Sequence, residues 1–166
     1  AAGPDLCDVR SAHAGGVATL RGDVAHTHAD GDAATRHGDD LIVADTNFPS
    51  DSVARQTVIG KLLRLYNATA GRAAKAILSV MPLDGFVEKP ALRMEIVGRP
   101  DEVPPVQAEV QKEIDAAEGR SWPMGSIERF AFYDLARKAY CVIQTGERRF
   151  YGCFVFKKGV IAPDAV

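Results

Sequence analysis

The sequence predicts an α/β fold: a single domain in which helices cover a mixed β-sheet. The chain has 166 residues, which is enough for one domain with a sizeable core. Its composition, 46% hydrophobic and 25% charged, is ordinary for a folded globular protein. From residue 37 onward, short apolar runs typical of strands are interleaved with segments of helical periodicity. Alternation of this kind is typical of α/β domains.

Residues 1–36 form an atypical N-terminal segment. The segment is rich in Ala, Gly, Asp and His, and its apolar residues are too scattered to predict a helix or a strand. A poorly ordered divergent extension and an artefact, such as a shifted reading frame, are both open interpretations. We therefore expect the folded domain to occupy residues 37–166.

A buried strand and a capped helix are predicted first. Residues 41–44 (LIVA) form a continuous apolar run that Asp45 closes. Residues 50–69 mix turn-forming and apolar residues and leave the secondary structure open. Thr69 is placed to cap a helix that ends before Pro82.

A strand and a second helix follow. Apolar residues at 92, 94 and 96 alternate with charged ones, which predicts a strand with one buried face. Pro104 and Pro105 open a helix that Gly119 is placed to end.

The C-terminal third predicts a third helix and two strands. Ser126 is expected to cap a helix that runs to about Lys138, with Glu128 in its first turn. Residues 139–144 and 151–156 are the predicted strands.

Charge and cysteine content exclude several classes of function. A net charge of -2 and an isoelectric point near 6.1 argue against nucleic acid and anionic membranes as partners. The sequence has neither an apolar run of membrane-spanning length nor a visible secretion signal. Cys7, Cys141 and Cys153 share no C-x-x-C spacing, which suits a reducing cytoplasm.

His37 and Asp45 flank the first predicted strand. An imidazole can take and give a proton near neutral pH, and a carboxylate can orient either a hydroxyl group or the imidazole. On spacing alone, a solvated turn histidine and a turn-forming aspartate are the simpler interpretation.

Arg129 and Tyr151 are further candidates for binding polar ligands. The guanidinium of Arg129 could present a planar fork to sugar hydroxyls or to a carboxylate, and the phenol of Tyr151 offers a donor and an acceptor. On position alone, a surface ion pair is the simpler interpretation of Arg129, and half-buried packing is the simpler interpretation of Tyr151.

His26 and His28, with Asp30 and Asp32 nearby, have the ligand types of a divalent metal site. The Gly- and Ala-rich surroundings lack a rigid element to fix ligand geometry, so a solvated terminus is the preferred interpretation. A metal-binding protein would carry stoichiometric metal after purification.

Four motifs follow one another in the sequence: residues 37–49 (HGDDLIVADTNFP), 129–133 (RFAFY), 145–147 (TGE) and 151–152 (YG). Together they resemble the RbsD/FucU family of fucose mutarotases and ribose pyranases. Residues 129–159 are most similar to the L-fucose mutarotase branch. The resemblance covers residues 37–163 and implies the RbsD-like fold.

The resemblance also implies an activity and a set of site residues. It implies an isomerase that interconverts the α and β anomers of L-fucose or a related monosaccharide without a cofactor or metal. His37 matches the catalytic proton donor, and the matched substrate-binding positions are Asp45, Arg129, Tyr151, Gly152 and Cys153. The family commonly has Asn at the position of Cys153, so this chain lacks an amide there.

Family members form ring-shaped homo-oligomers, commonly decamers, so the resemblance implies self-association with sites near subunit contacts. A D-ribose pyranase is the nearest alternative, since it would use the same acid–base chemistry. A non-catalytic monosaccharide-binding module is the alternative from a different class.

Overall fold

The computed structural model describes residues 36–161 of the chain. The expectations for the N-terminal segment, including its His26 and His28, lie outside the described residues. Among residues 36–161, no helix is long and apolar enough to cross a membrane.

Six strands and four helices make up the described domain. The strands are β1 (Asp40–Ala44), β2 (Leu62–Leu65), β3 (Ala91–Met94), β4 (Gly125–Ile127), β5 (Cys141–Thr145) and β6 (Phe154–Lys157). The helices are α1 (Ser50–Ala54), α2 (Ala70–Leu78), α3 (Pro105–Glu118) and α4 (Arg129–Lys138).

The strands form one mixed sheet in the order β2-β5-β1-β6-β3-β4. β1 pairs in parallel with β5, and β5 in parallel with β2, while β3 pairs in parallel with β4. β6 lies between β1 and β3 and is antiparallel to both. The prediction of a single α/β domain with a mixed sheet is therefore confirmed.

Both faces of β1 are buried, which explains why its sequence is a continuous apolar run rather than an alternating one. Leu41 and Val43 join a core that packs beneath α2 and α3, whereas Ile42 and Ala44 join a second core with residues of α1 and α4. Each face of β1 therefore contributes to a separate core.

The helix ends follow local capping chemistry. The Thr69 side chain accepts a hydrogen bond from the backbone N–H of Arg72, so it caps α2 as predicted. Gly119 ends α3 in the left-handed conformation, at φ 64°.

The predicted cap of the third helix is wrong by two residues. Ser126 lies in β4, and the Glu128 carboxylate instead accepts from the backbone N–H groups of Phe130 and Ala131. A glutamate can cap a helix in this way because its carboxylate reaches the free N–H groups of the first turn.

Other predicted boundaries also shift. The third strand ends at Met94, and Ile96 instead makes an isolated bridge with Arg99. The ambiguous region 50–69 contains α1 and the edge strand β2. Tyr151 does not begin the last strand, because its φ is 61° and β6 starts only at Phe154.

Candidate functional site

A cleft of about 390 Å³ lies beyond the carboxyl end of β1. A volume of this size is in the range of small-molecule sites. The residues that line it come from four segments that are distant in the chain: Asp45, Asn47, Phe48, Met94, Arg129, Tyr133, Phe150, Tyr151 and Cys153. The lining combines a carboxylate and a guanidinium with aromatic rings, which suits a polar ligand that also has apolar faces.

Asp45 forms the buried polar floor of the cleft. One carboxylate oxygen accepts from the backbone N–H groups of Asn47 and Phe48 at 2.9 and 3.0 Å. The other accepts from the N–H of Gly152 at 3.2 Å. These three bonds hold the carboxylate rigidly, and the oxygen bonded to Gly152 has a second lone pair with which to accept from a ligand hydroxyl.

The segment 151–152 can reach Asp45 only because of its backbone conformation. Tyr151 adopts a left-handed conformation that non-glycine residues rarely occupy. At Gly152, an added Cβ would lie 2.8 Å from Glu147 Cγ and 3.3 Å from Asp45 Cβ. The close approach of this backbone to the carboxylate therefore requires glycine.

Cys153 lies in the cleft wall but is almost fully buried. Burial, together with the neighbouring Asp45 carboxylate, raises the pKa of the Cys153 thiol well above its usual value. The thiol is therefore neutral at physiological pH, and it is a weaker hydrogen-bonding group than an amide.

Arg129 and Tyr133 stand on the first turns of α4 at the cleft edge. The Arg129 Nε donates to the Tyr133 hydroxyl at 3.4 Å, and this bond raises the pKa of Arg129. The Tyr133 ring in turn stacks on Phe48, with ring centroids 5.2 Å apart. Arg129 is exposed, so its guanidinium is accessible to a ligand.

A buried carboxylate supports the loop that carries Tyr151. Glu147 accepts hydrogen bonds from the Arg149 side chain and from the backbone N–H groups of Arg149 and Ala70. Arg149 also makes a bidentate ion pair with Glu109 on α3. The Arg149 hydrogen bond is the main reason that the pKa of Glu147 falls to about 2, although burial opposes the shift.

We expect the substitution Glu147→Gln to lower the unfolding free energy by about 1–3 kcal/mol at pH 7. A depressed pKa stabilises the fold fully above the ordinary value of 4.5, and this contribution is lost as the pH falls towards 2. Urea unfolding between pH 2 and pH 7 should therefore show the two proteins converging in acid. Exposed Glu88→Gln serves as a control, and an equal effect there, or a difference that persists at pH 2, would refute the assignment.

His37 does not line this cleft in the subunit described. It precedes β1, whereas Asp45 follows that strand. The four residue steps of β1 alone span about 13 Å. The N–H of Gly38, the residue after His37, donates to the carbonyl of Lys158. Lys158 follows the last residue of β6, and that end of β6 pairs with the start of β1.

Asp84 holds the His37 ring at this opposite end of the strand. His37 Nε2 lies 3.0 Å from an Asp84 carboxylate oxygen, and the same oxygen accepts from the N–H of Phe86. Burial alone would raise the pKa of Asp84, but the bonds from Phe86 and His37 lower it below its usual value. Because an ionised carboxylate only accepts, Nε2 must carry the hydrogen, which leaves Nδ1 free to exchange a proton.

The structure thus brings together most of the site residues that the sequence suggested. Asp45, Arg129, Tyr151, Gly152 and Cys153 meet at the cleft, and His37 stands apart from them.

From the sequence, no site role was predicted for Asp84, Tyr133 or Met94. Asp84 follows Pro82 in a segment read only as a helix end. The position of Tyr133 could have been predicted from the sequence, because it lies four residues after Arg129 on a predicted helix and therefore faces the same side.

The chain matches known proteins over most of its length. The sequence model of the RbsD / FucU transport protein family matches residues 32–161. Fucose mutarotase from Bos taurus is 38% identical over 130 residues, which cover 76% of this chain and 82% of that protein.

Solved structures agree with this match. Protein Atu2016 is 63% identical and superposes with a TM-score of 0.75, covering 77% of this chain and 85% of that chain. The fucose mutarotase from Streptococcus pneumoniae, solved in complex with L-fucose, is 30% identical with a TM-score of 0.68 and covers 77% of this chain and 87% of that chain.

Proposed function

The chain belongs to the RbsD/FucU family, and on that basis we propose that it is a sugar mutarotase that interconverts the α and β anomers of L-fucose or a related monosaccharide. The observation that carries the proposal is the cleft, in which Asp45, Arg129 and Tyr151 meet around a space of small-molecule size. Relatives named fucose mutarotase make L-fucose the first sugar to test.

The reaction needs proton transfers and the breaking and re-forming of one C–O bond, all at one end of the sugar. Ring opening removes a proton from the anomeric hydroxyl and adds one to the ring oxygen, and ring closure on the other face reverses both transfers. The only bond to carbon that breaks and re-forms is the anomeric C–O bond. One positioned imidazole with polar supports can perform this chemistry without a cofactor.

The cleft residues have distinct roles in this proposal. The Asp45 carboxylate accepts from sugar hydroxyls, and the Arg129 guanidinium donates to them. The phenol of Tyr151 can do both. Phe48 and Tyr133 offer flat apolar surfaces, as is common where a site binds the less polar face of a sugar.

His37 supplies the proton transfer, but it must come from a second copy of the chain. Within one subunit β1 separates His37 from the cleft, so intramolecular contact would require the sheet to break. In a ring-shaped homo-oligomer, with a decamer as the expected size, each cleft would receive His37 from its neighbour. Analytical ultracentrifugation tests the assembly.

Exposed aromatic rings at both ends of the sheet support this arrangement. Phe86 is 80% exposed and packs edge-on against His37, with ring centroids 5.4 Å apart. Phe130 and Phe150, next to the cleft, are 70% and 74% exposed. Aromatic side chains are enriched at protein–protein interfaces relative to the rest of the surface.

We expect Asp84→Asn to slow anomer exchange about 10- to 100-fold, less than the full contribution of a positioned acid–base group. The amide oxygen can still accept from Nε2, but the negative charge opposite the ring is lost. Sugar affinity should stay the same, since Asp84 lies at the His37 end. Exchange rates and dissociation constants measured on the same preparations check both claims, and weaker binding at an unchanged rate would contradict them.

Magnetisation-transfer NMR on fucose, galactose and ribose tests the activity and the substrate class together. We expect anomer exchange of fucose to accelerate most. Faster exchange of ribose than of fucose would favour a ribose pyranase. Binding of a sugar without acceleration of any of the three would favour a non-catalytic sugar-binding module.

A further inference from the structure

A buried glutamine connects the two walls of the cleft. Gln107 lies in the first turn of α3 and is 0% exposed, although it is a polar residue. Its amide nitrogen donates to the carbonyl of Met94 at 2.8 Å and to the carbonyl of Tyr151 at 3.0 Å. Met94 and Tyr151 both line the cleft, one at the end of β3 and the other in the loop before β6.

The orientation of this amide is determined by a third partner. Arg93 donates from its Nη1 to the Gln107 side-chain oxygen at 3.2 Å. Because the guanidinium can only donate and the two carbonyls can only accept, one orientation of the amide satisfies all three bonds. A buried amide in which every group is paired is a rigid connection.

The backbone conformation of Tyr151 has to be stabilised by bonds from other parts of the chain. Tyr151 occupies the left-handed region, which costs free energy for a residue with a Cβ. The Met94 N–H also donates to the carbonyl of Cys153, so the two walls already touch at one point beside Gln107. Gln107 adds the bond that holds the Tyr151 carbonyl, and with it the placement of the Tyr151 ring.

We propose that Gln107 is a positioning residue that sets the spacing of the two cleft walls and thereby determines sugar affinity. The part of this inference that concerns affinity rests on the proposed function. Gln107 does not touch the His37 end of the sheet, so its loss should change binding much more than the chemical step.

The test compares Gln107→Met and Gln107→Glu with Val110→Ala. Methionine keeps the length of the side chain but makes none of the three bonds, and glutamate keeps only the bond from Arg93. Val110 lies one turn further along the buried face of α3 and does not line the cleft, so its truncation matches the loss of core stability. Each variant is assayed for kcat, for KM with fucose, and for amide hydrogen exchange without ligand.

Both Gln107 variants lose the two hydrogen bonds to the carbonyls of Met94 and Tyr151. We therefore expect both to raise KM about 10-fold, with kcat changed less than 2-fold. The amides of Met94 and Gly152 should exchange faster than the fall in global stability explains. The Val110 variant should show neither effect.

Two results would overturn the inference. One is a Gln107→Met protein whose KM and amide exchange match those of Val110→Ala; the other is a Gln107→Glu protein that behaves like the wild type. If Gln107→Met does not fold, the KM and amide exchange of Gln107→Glu alone test the inference. A wild-type protein that accelerates no sugar would refute the proposed function, while amide exchange would still show whether Gln107 holds the two walls.

Discussion

Replacing His37 by alanine is expected to slow anomer exchange by about 10²- to 10⁴-fold, the usual contribution of a positioned acid–base group. Sugar binding should persist, because the residues that form the cleft remain. The fold should also persist, since 46% of the His37 side chain is exposed and Asp84 keeps its bond from the N–H of Phe86. Magnetisation-transfer NMR measures the exchange, and calorimetry measures the binding.

The variant His37→Gln provides the matched control. A glutamine amide can keep a hydrogen bond to Asp84 but cannot exchange a proton near neutral pH. It should therefore be as inactive as alanine. Unchanged exchange in either variant would remove His37 from the proton-transfer role, whereas loss of binding together with exchange would make it a sugar-binding residue instead.

Mixing two inactive variants is expected to restore activity if the site is shared between subunits. One variant is His37→Ala and the other is Asp45→Asn, each inactive when assembled alone. With random assembly in equal amounts, one half of the sites has a competent histidine and one half of those has a competent cleft. About one quarter of the wild-type activity per site should therefore return.

This outcome distinguishes a shared site from a site within one chain. If His37 and Asp45 of the same subunit acted together, every site in the mixture would carry a defect and no activity would return. Co-expression with two affinity tags, followed by sequential purification, isolates the mixed oligomers for the assay.

A second cleft variant allows the complementation test to be repeated in case Asp45→Asn is too unstable to fold. Asparagine at position 45 can no longer accept from the N–H of Gly152 if its amide nitrogen takes that position, so some stability is lost. Arg129→Ala removes an exposed side chain from the same cleft with little structural cost. Complementation by either cleft variant supports a shared site, and its absence with both would refute one.

The sequence by itself determined the parts of the fold whose signals are local. The run at residues 41–44 predicted the central strand because a strand buried on both faces must be apolar throughout. Thr69 and Gly119 marked helix ends because capping depends on residues within one turn. The cleft residues were identified through the family resemblance, which is carried by their motifs.

The tertiary structure alone decided the features that depend on contacts between distant segments. β2 and β4 are short strands at the sheet edges, where only pairing with β5 and β3 defines them. Asp84 stands 47 residues from His37 in the chain, and Gln107 stands 44 from Tyr151, yet each pair is joined by a hydrogen bond. No local pattern encodes such a pair, because sheet order and helix packing, rather than neighbouring residues, bring the partners together. The same sheet places His37 and Asp45 at opposite ends of one strand, since the five residues of β1 lie between them.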